Sequence, residues 1–228
     1  MPVTPGKNPD ELFRFVQQIG IIPAIRTPDV SACLRAAEAI GAGGIPILEI
    51  SLAVPGAEEN LEAVRKAQSG NLLVGAGSVI DEKMVHRAQQ SGAQFIVTTG
   101  FSADVIQTAR DCQLVILAGA LTPTEVQGAS AAGADAVKLF PCYATGGPRY
   151  VKTLRAQYPG VHLIASGGVT LENCAEYFRA GACAVGIGAE IIDAESLAIG
   201  NDRVFTERAR RFRTAVMEIQ AQRKGGIG

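Results

Sequence analysis

Apolar residues in this chain fall in short uninterrupted runs, and each run is followed by a longer stretch whose apolar positions recur at helical spacing. The runs lie at residues 21–26, 45–51, 72–75, 95–98, 114–118, 135–141, 162–165 and 184–187. Runs this short, bounded by Gly and Pro, have the pattern of strands buried on both faces. The stretches between them predict helices at 27–40, 56–67, 81–91, 102–111, 123–132, 148–157 and 170–179, and a charged helix at 202–224 closes the chain. Ser102 and Thr170 are placed to cap two of these helices. Asn8, with Glu11 three residues on, predicts a capped leading helix through Ile19, and residues 1–7 read as a loose tail.

Gly-Ala pairs precede strands at 41–42, 92–93, 133–134 and 181–182, which suits helix ends feeding short loops. Eight strand–helix units fill the length with no linker and no low-complexity segment. Right-handed crossovers permit either a doubly wound sheet or a closed barrel, and equal units with short strands favour the barrel. We therefore expect one α/β domain over residues 1–228, a (β/α)8 TIM barrel with an N-terminal leading helix.

Composition narrows the functional classes. At 228 residues and 47 % hydrophobic content, the chain has the size and the core material of a compact barrel. A formal net charge of -1 gives no electrostatic footprint for nucleic acid or a membrane surface. No stretch approaches the roughly 18 consecutive apolar residues of a membrane span, and the N-terminus lacks a signal-peptide pattern. Cys33, Cys112, Cys142, Cys174 and Cys183 are scattered and form no CxxC pair, which predicts reduced thiols and a cytoplasmic enzyme. His86 and His162 are the only imidazoles, so no multi-histidine metal site is expected.

In a barrel the chemistry gathers at the C-terminal ends of the strands. That rule selects Arg26, Glu49, Ser51, Ser78, Thr98, Thr99, Lys138 and Ser166. Lys138 is the one charge among residues 136–140, where period-two alternation sets it beside Ala136 and Phe140 and opposite Val137 and Leu139. An ammonium in such a strand is either a paired core lysine or a reactive one. Glu49 repeats the situation in its own strand. Strands 2 and 6 are both even-numbered and stand opposite each other, so their side chains share a layer of the barrel. A desolvated lysine loses its proton more readily and attacks carbonyls to form a Schiff base, and a facing carboxylate can relay protons. Glycines Gly167, Gly168 and Gly188 follow strands 7 and 8, where barrels recurrently hold phosphate, with a short helix expected at 190–193. Residues 75–78, Gly-Ala-Gly-Ser, lack the third glycine and acidic partner of a dinucleotide loop.

These residues resemble a known family. Residues 49–52 (Glu-Ile-Ser-Leu), 74–79 (Val-Gly-Ala-Gly-Ser-Val), 137–141 (Val-Lys-Leu-Phe-Pro) and 167–170 (Gly-Gly-Val-Thr) are similar to the class I aldolases of 2-keto-3-deoxy-6-phosphogluconate and 2-keto-3-deoxy-6-phosphogalactonate. The resemblance runs from about Ile21 to Ile192. It implies that Lys138 is the Schiff-base lysine, that Glu49 is the acid/base, and that Ser78 helps hold the pyruvate carboxylate. It also implies a homotrimer. The phosphogluconate branch carries Arg where this chain has Ala53, whereas Arg26 at the end of strand 1 resembles the phosphogalactonate branch. Both branches tend to have Ser where this chain has Ala189, followed here by Glu190.

The resulting expectation is an aldolase that cleaves a 2-keto-3-deoxy sugar acid, 6-phosphorylated, to pyruvate and an aldehyde. Lys138 and Glu49 are its catalytic residues, and Arg26, Ser78, Thr99, Phe140, Gly167, Gly168, Gly188 and Ala189 its substrate-binding residues. The imine itself serves as the electron sink, so neither cofactor nor metal is expected, and the partner is a small molecule. Three other readings remain open at this level. One is an aldolase for an unphosphorylated acid such as 4-hydroxy-2-oxoglutarate. A second is a phosphosugar isomerase or epimerase on the same fold, and a third is a non-catalytic phosphometabolite-binding barrel.

Overall fold

The computed structural model describes residues 8–68 and 70–225, and the tail expected at 1–7 lies outside them. In chain order the elements are α1 (Pro9–Ile19), β1 (Ile21–Ile25), α2 (Val30–Ala42), β2 (Ile47–Ser51), α3 (Ala57–Ala67), β3 (Leu73–Val79), α4 (Glu82–Gln90) and β4 (Phe95–Thr98). They continue with α5 (Ala103–Asp111), β5 (Val115–Ala120), α6 (Pro123–Ala131), β6 (Ala136–Leu139), a 3-10 turn (Cys142–Thr145), α7 (Pro148–Gln157) and β7 (Leu163–Ser166). The last are α8 (Cys174–Arg179), β8 (Ala184–Ile187), α9 (Ala194–Ala198) and α10 (Asp202–Gly225).

The eight strands pair in sequence order, all parallel, and β8 pairs with β1 to close the barrel. Closure leaves no strand edge, and parallel pairing requires each helix to cross back over the outside. Helix starts follow from side-chain oxygens that accept orphan N–H groups. Asn8, Asp29, Asp81 and Ser102 each accept the N–H three residues on, and Thr122 with Glu125 forms a reciprocal capping box. Strand residues such as Ile47, Leu48, Phe95, Val115 and Val137 are fully buried, between the barrel interior and the helix layer.

Three expectations need correction. The helix predicted at 190–193 is a turn, because the Gly188 carbonyl accepts from both Ile191 and Ile192 and closes the chain on itself. Asp193 then leaves this turn in an extended conformation and caps α9, so the helix starts beyond the predicted segment. Thr170 does not start α8. Its N–H donates to Asn173 Oδ1 while Asn173 Nδ2 donates to the Gly168 carbonyl, and these bonds hold the segment as a turn until Cys174. Lastly, β3 runs well past residue 75. A register irregularity lies between Ala76 and Val79, where Ser78 has φ 60. Irregularities of this kind bend a strand and re-aim its side chains.

Candidate active site

Two strands on opposite sides of the barrel carry a charge into its centre. Glu49 of β2 is in register with Ala24 of β1 and Gly75 of β3, and Lys138 of β6 with Gly119 of β5 and Ile164 of β7. Across the interior, Lys138 Nζ lies 3.5 Å from Glu49 Oε1, with side-chain exposures of 13 % and 7 %. The space for the carboxylate comes from Gly77: a Cβ there would stand 3.0 Å from Cδ and Oε1 of Glu49, too close unless the carboxylate moved. Phe140 completes the surroundings, its ring centroid 5.6 Å from Lys138 Nζ, within reach of a cation–π attraction. The peptide bond from Phe140 to Pro141 is cis.

Stability alone does not account for this pair. Desolvating two charges costs about as much as their attraction returns, and well-packed apolar residues in such places are commonly neutral or better. The pair stands at the bottom of a cavity of about 440 Å³ that opens at the C-terminal end of the barrel. One wall is polar, formed by Ser166 and the loops after β7 and β8. Ile22, Ile192 and Leu197 line it with apolar surface. Arg26 also lines the cavity, just past the end of β1 and two residues beyond the register partner of Glu49. Its guanidinium is exposed and, among the described residues, has no carboxylate within ion-pair distance. Asp29, a rival partner in sequence, is occupied in capping α2.

The rim after β7 turns through Gly167 and Gly168 at φ 84 and 76. Beyond β8, Gly188 and Ala189 reach the cavity together with Glu190. Within the β8 turn, the N–H groups of Ala189 and Glu190 have no backbone acceptor among the described residues. Of the predicted substrate-binding residues, Arg26, Phe140, Gly167, Gly168, Gly188 and Ala189 line this cavity with Lys138 and Glu49. Ser78 and Thr99 do not. The turn at Ser78 directs its hydroxyl to Ser51 Oγ, 2.9 Å away, and Thr99 is exposed beyond the end of β4.

Sequence reading missed α9, which brings Ala194 and Leu197 to the cavity wall. The signal was present. Asp193 precedes Ala-Glu-Ser-Leu-Ala, with Gly200 beyond, the order of a capped short helix. Among the described residues, no group of three or more His, Cys, Asp or Glu is placed to hold a metal ion, and no helix is long and apolar enough to cross a membrane.

The family model described as KDPG and KHG aldolase matches residues 13–206. The 2-dehydro-3-deoxy-phosphogluconate aldolase of Treponema pallidum is 31% identical over 193 residues, covering 83% of this chain and 90% of that protein. The 2-dehydro-3-deoxy-6-phosphogalactonate aldolase of Escherichia coli is 36% identical over 166 residues, 72% of this chain and 80% of that protein. Among solved structures, KDPG aldolase from Legionella pneumophila superposes with a TM-score of 0.82 at 27% identity, covering 90% of this chain and 97% of that one. In that structure pyruvate was captured as a covalent carbinolamine intermediate.

Proposed function

This chain belongs to the KDPG and KHG aldolase family, and on that premise we propose that it is a class I lyase in which Lys138 and Glu49 cleave a 2-keto-3-deoxy-6-phospho sugar acid to pyruvate and an aldehyde. The observation that carries the residue assignment is the facing pair itself, one amine and one carboxylate 3.5 Å apart at the bottom of the cavity. Lys138 first passes its proton to Glu49; the freed amine adds to the C2 carbonyl, and the carbinolamine loses water with that proton from the Glu49 carboxyl, which leaves a protonated imine. Glu49 then takes the proton of the 4-hydroxyl. As the C3–C4 bond breaks, its electron pair passes into the imine, giving an enamine and the aldehyde. Protonation of the enamine at C3 and hydrolysis of the imine release pyruvate and restore Lys138. Each later step moves one proton between substrate and carboxylate, so one acid/base group suffices.

Arg26 answers the substrate carboxylate in this reading. It lies at the mouth with its donors unpaired, and a guanidinium grips a carboxylate through two parallel hydrogen bonds. The remote phosphate meets the rim of Gly167, Gly168, Gly188 and Ala189, where backbone N–H groups supply donors without a hydroxyl at position 189. The free thiols of Cys33, Cys112, Cys142, Cys174 and Cys183 support a cytoplasmic setting. Exposed Ile80 and Phe101, which follow the adjacent strands β3 and β4, support burial against further copies in a homotrimer, to be read by sedimentation.

Pyruvate with borohydride tests the mechanism. A reduced three-carbon adduct should form, and a peptide map should place it on Lys138. An adduct on Lys152, or none, would overturn the assignment.

A further inference from the structure

The turn between β8 and α9 lines the cavity, yet its only internal tie is the Gly188 carbonyl, which accepts from Ile191 and Ile192. Its far end is gripped from outside. Arg208 of α10 pairs through Nη1 with Asp193 Oδ2, and the same nitrogen donates to the Ile191 carbonyl at 3.4 Å. Asp193 uses its other oxygen, Oδ1, to accept the Ser196 N–H at 2.7 Å and start α9. The Ser196 N–H and the Arg208 guanidinium hold the Asp193 carboxyl well below the ordinary carboxylate range, so it stays ionised at any pH near neutrality. One guanidinium thus pins the turn and the beginning of the helix that follows it.

Arg208 is itself fixed by packing. Phe205, Ala209 and Phe212 form the buried face of this part of α10. Ala209 rests on the C-terminal end of α2, where a Cβ at Gly43 would come within 2.5 Å of the Ala209 Cβ, a distance only glycine permits. Arg208 does not line the cavity. Its contacts are with the turn that does.

The geometry points to Arg208 as a positioning residue for substrate recognition: by clamping Asp193 and the Ile191 carbonyl, it holds the β8 turn where the Ala189 and Glu190 amides meet the end of the substrate remote from the keto group. This inference rests on the reading that the rim receives that end. Without the clamp the turn keeps only its Gly188 closure, and the cavity-lining Ala189 and Glu190, whose amides have no backbone acceptor, lose their outside support. A misplacement of about an ångström caused far from the chemistry can cost an enzyme up to about a hundredfold. Pyruvate is only three carbons long, so it reaches Lys138 without meeting this turn.

The experiment compares wild type, Arg208→Ala, Arg208→Lys and Asp193→Asn. The readouts are the rate of borohydride trapping with pyruvate, and KM and kcat for the 6-phosphorylated acid and for its unphosphorylated analogue. Arg208→Ala should raise KM for the phosphorylated acid by about tenfold, with kcat and pyruvate trapping within about twofold of wild type, because only placement is lost. Arg208→Lys, which keeps the charge and one reach, should recover part of that rise. An unchanged KM overturns the inference. So does pyruvate trapping that slows in step with KM, because that would mark general loss of structure. If Arg208→Ala does not fold, Asp193→Asn decides in its place: it keeps the Ser196 cap and weakens the clamp, and an unchanged KM there has the same meaning. Failure of the phosphate reading shows separately, as a wild-type enzyme with equal KM for the two acids. In that case the ratio of variant to wild type on the full-length acid, set against pyruvate trapping, still judges Arg208.

Discussion

The two ends of this barrel are built from the same eight strands and are chemically unlike. At the N-terminal end, α1 lays Leu12, Phe13, Phe15, Val16 and Ile19 into buried positions, and Gly20 in a left-handed conformation turns the chain directly into β1. Phe13 stacks at a tilt on His162, with centroids 5.2 Å apart, and Gln17 Nε2 lies 3.2 Å from His162 Nδ1. These apolar side chains are covered, and the His162 ring has a partner on each side. At the C-terminal end the Arg26 guanidinium and the turn amides of Ala189 and Glu190 lack protein partners among the described residues. Open donors that line a cavity are available to a bound anion. The floor carries stability and the mouth carries chemistry. The two should therefore separate under mutation.

The largest expected effect lies at the mouth. Glu49→Gln keeps the shape and removes the proton relay, so kcat should fall by about 10²–10⁴-fold while the pyruvate adduct still forms, more slowly. Turnover within a few-fold of wild type would reduce Glu49 to a structural partner of Lys138. At the floor, Phe13→Ala should cost about 3–5 kcal/mol of unfolding free energy in a urea titration, with KM unchanged at temperatures where the variant is folded. A changed KM would mean that the two ends are coupled. Returning to the mouth, Arg26→Ala should raise KM by about ten- to a hundredfold, the worth of hydrogen bonds to a charged group, with the melting temperature unmoved. An unaltered KM would leave the substrate carboxylate to backbone donors.

The smallest effect is a pH dependence at the floor. Burial, and then the nearby Arg155, lower the His162 pKa, against an opposing pull from Asp135. Below the ordinary imidazole value of about 6.5 the unfolded chain takes up a proton that the folded ring refuses, so stability falls with pH through that range and down to the lowered value. The melting temperature of wild type should therefore drop slightly more between neutral and mildly acidic pH than that of His162→Phe. Parallel curves would show that the ring titrates alike in both states.

Much of this contrast was readable in the sequence. Strands appear as apolar runs because both of their faces are buried, and one charge in such a run stands out, so Lys138 and Glu49 were identifiable before any geometry. The even numbering of strands 2 and 6 then placed them in a shared layer, and the structure sets them face to face. What escaped has physical reasons too. α9 spans only Ala194–Ala198, too short for a helical period to show. Ser78 was selected by its place at a strand end and by the resemblance, and neither shows the φ of 60 at a register irregularity that sets its hydroxyl on Ser51 Oγ. The clamp from Arg208 to Asp193 joins residues on separate elements and leaves no local pattern at all.

The seam between β1 and β8 sets an order of assembly. Ile21 pairs with Val185, and α10 then straps the join: Arg213 Nη1 donates to the Ile19 carbonyl and Asp202 pairs with Arg35. These contacts join residues far apart in sequence, so they form only after a long loop has closed. On a ribosome, β1 waits with one edge unpaired while the rest of the chain is made, and an unpaired apolar edge invites other strands. Nascent chains halted before α10 should accordingly be protease-sensitive and prone to aggregate, and the seam should be the last part of the barrel to gain protection from hydrogen exchange during refolding.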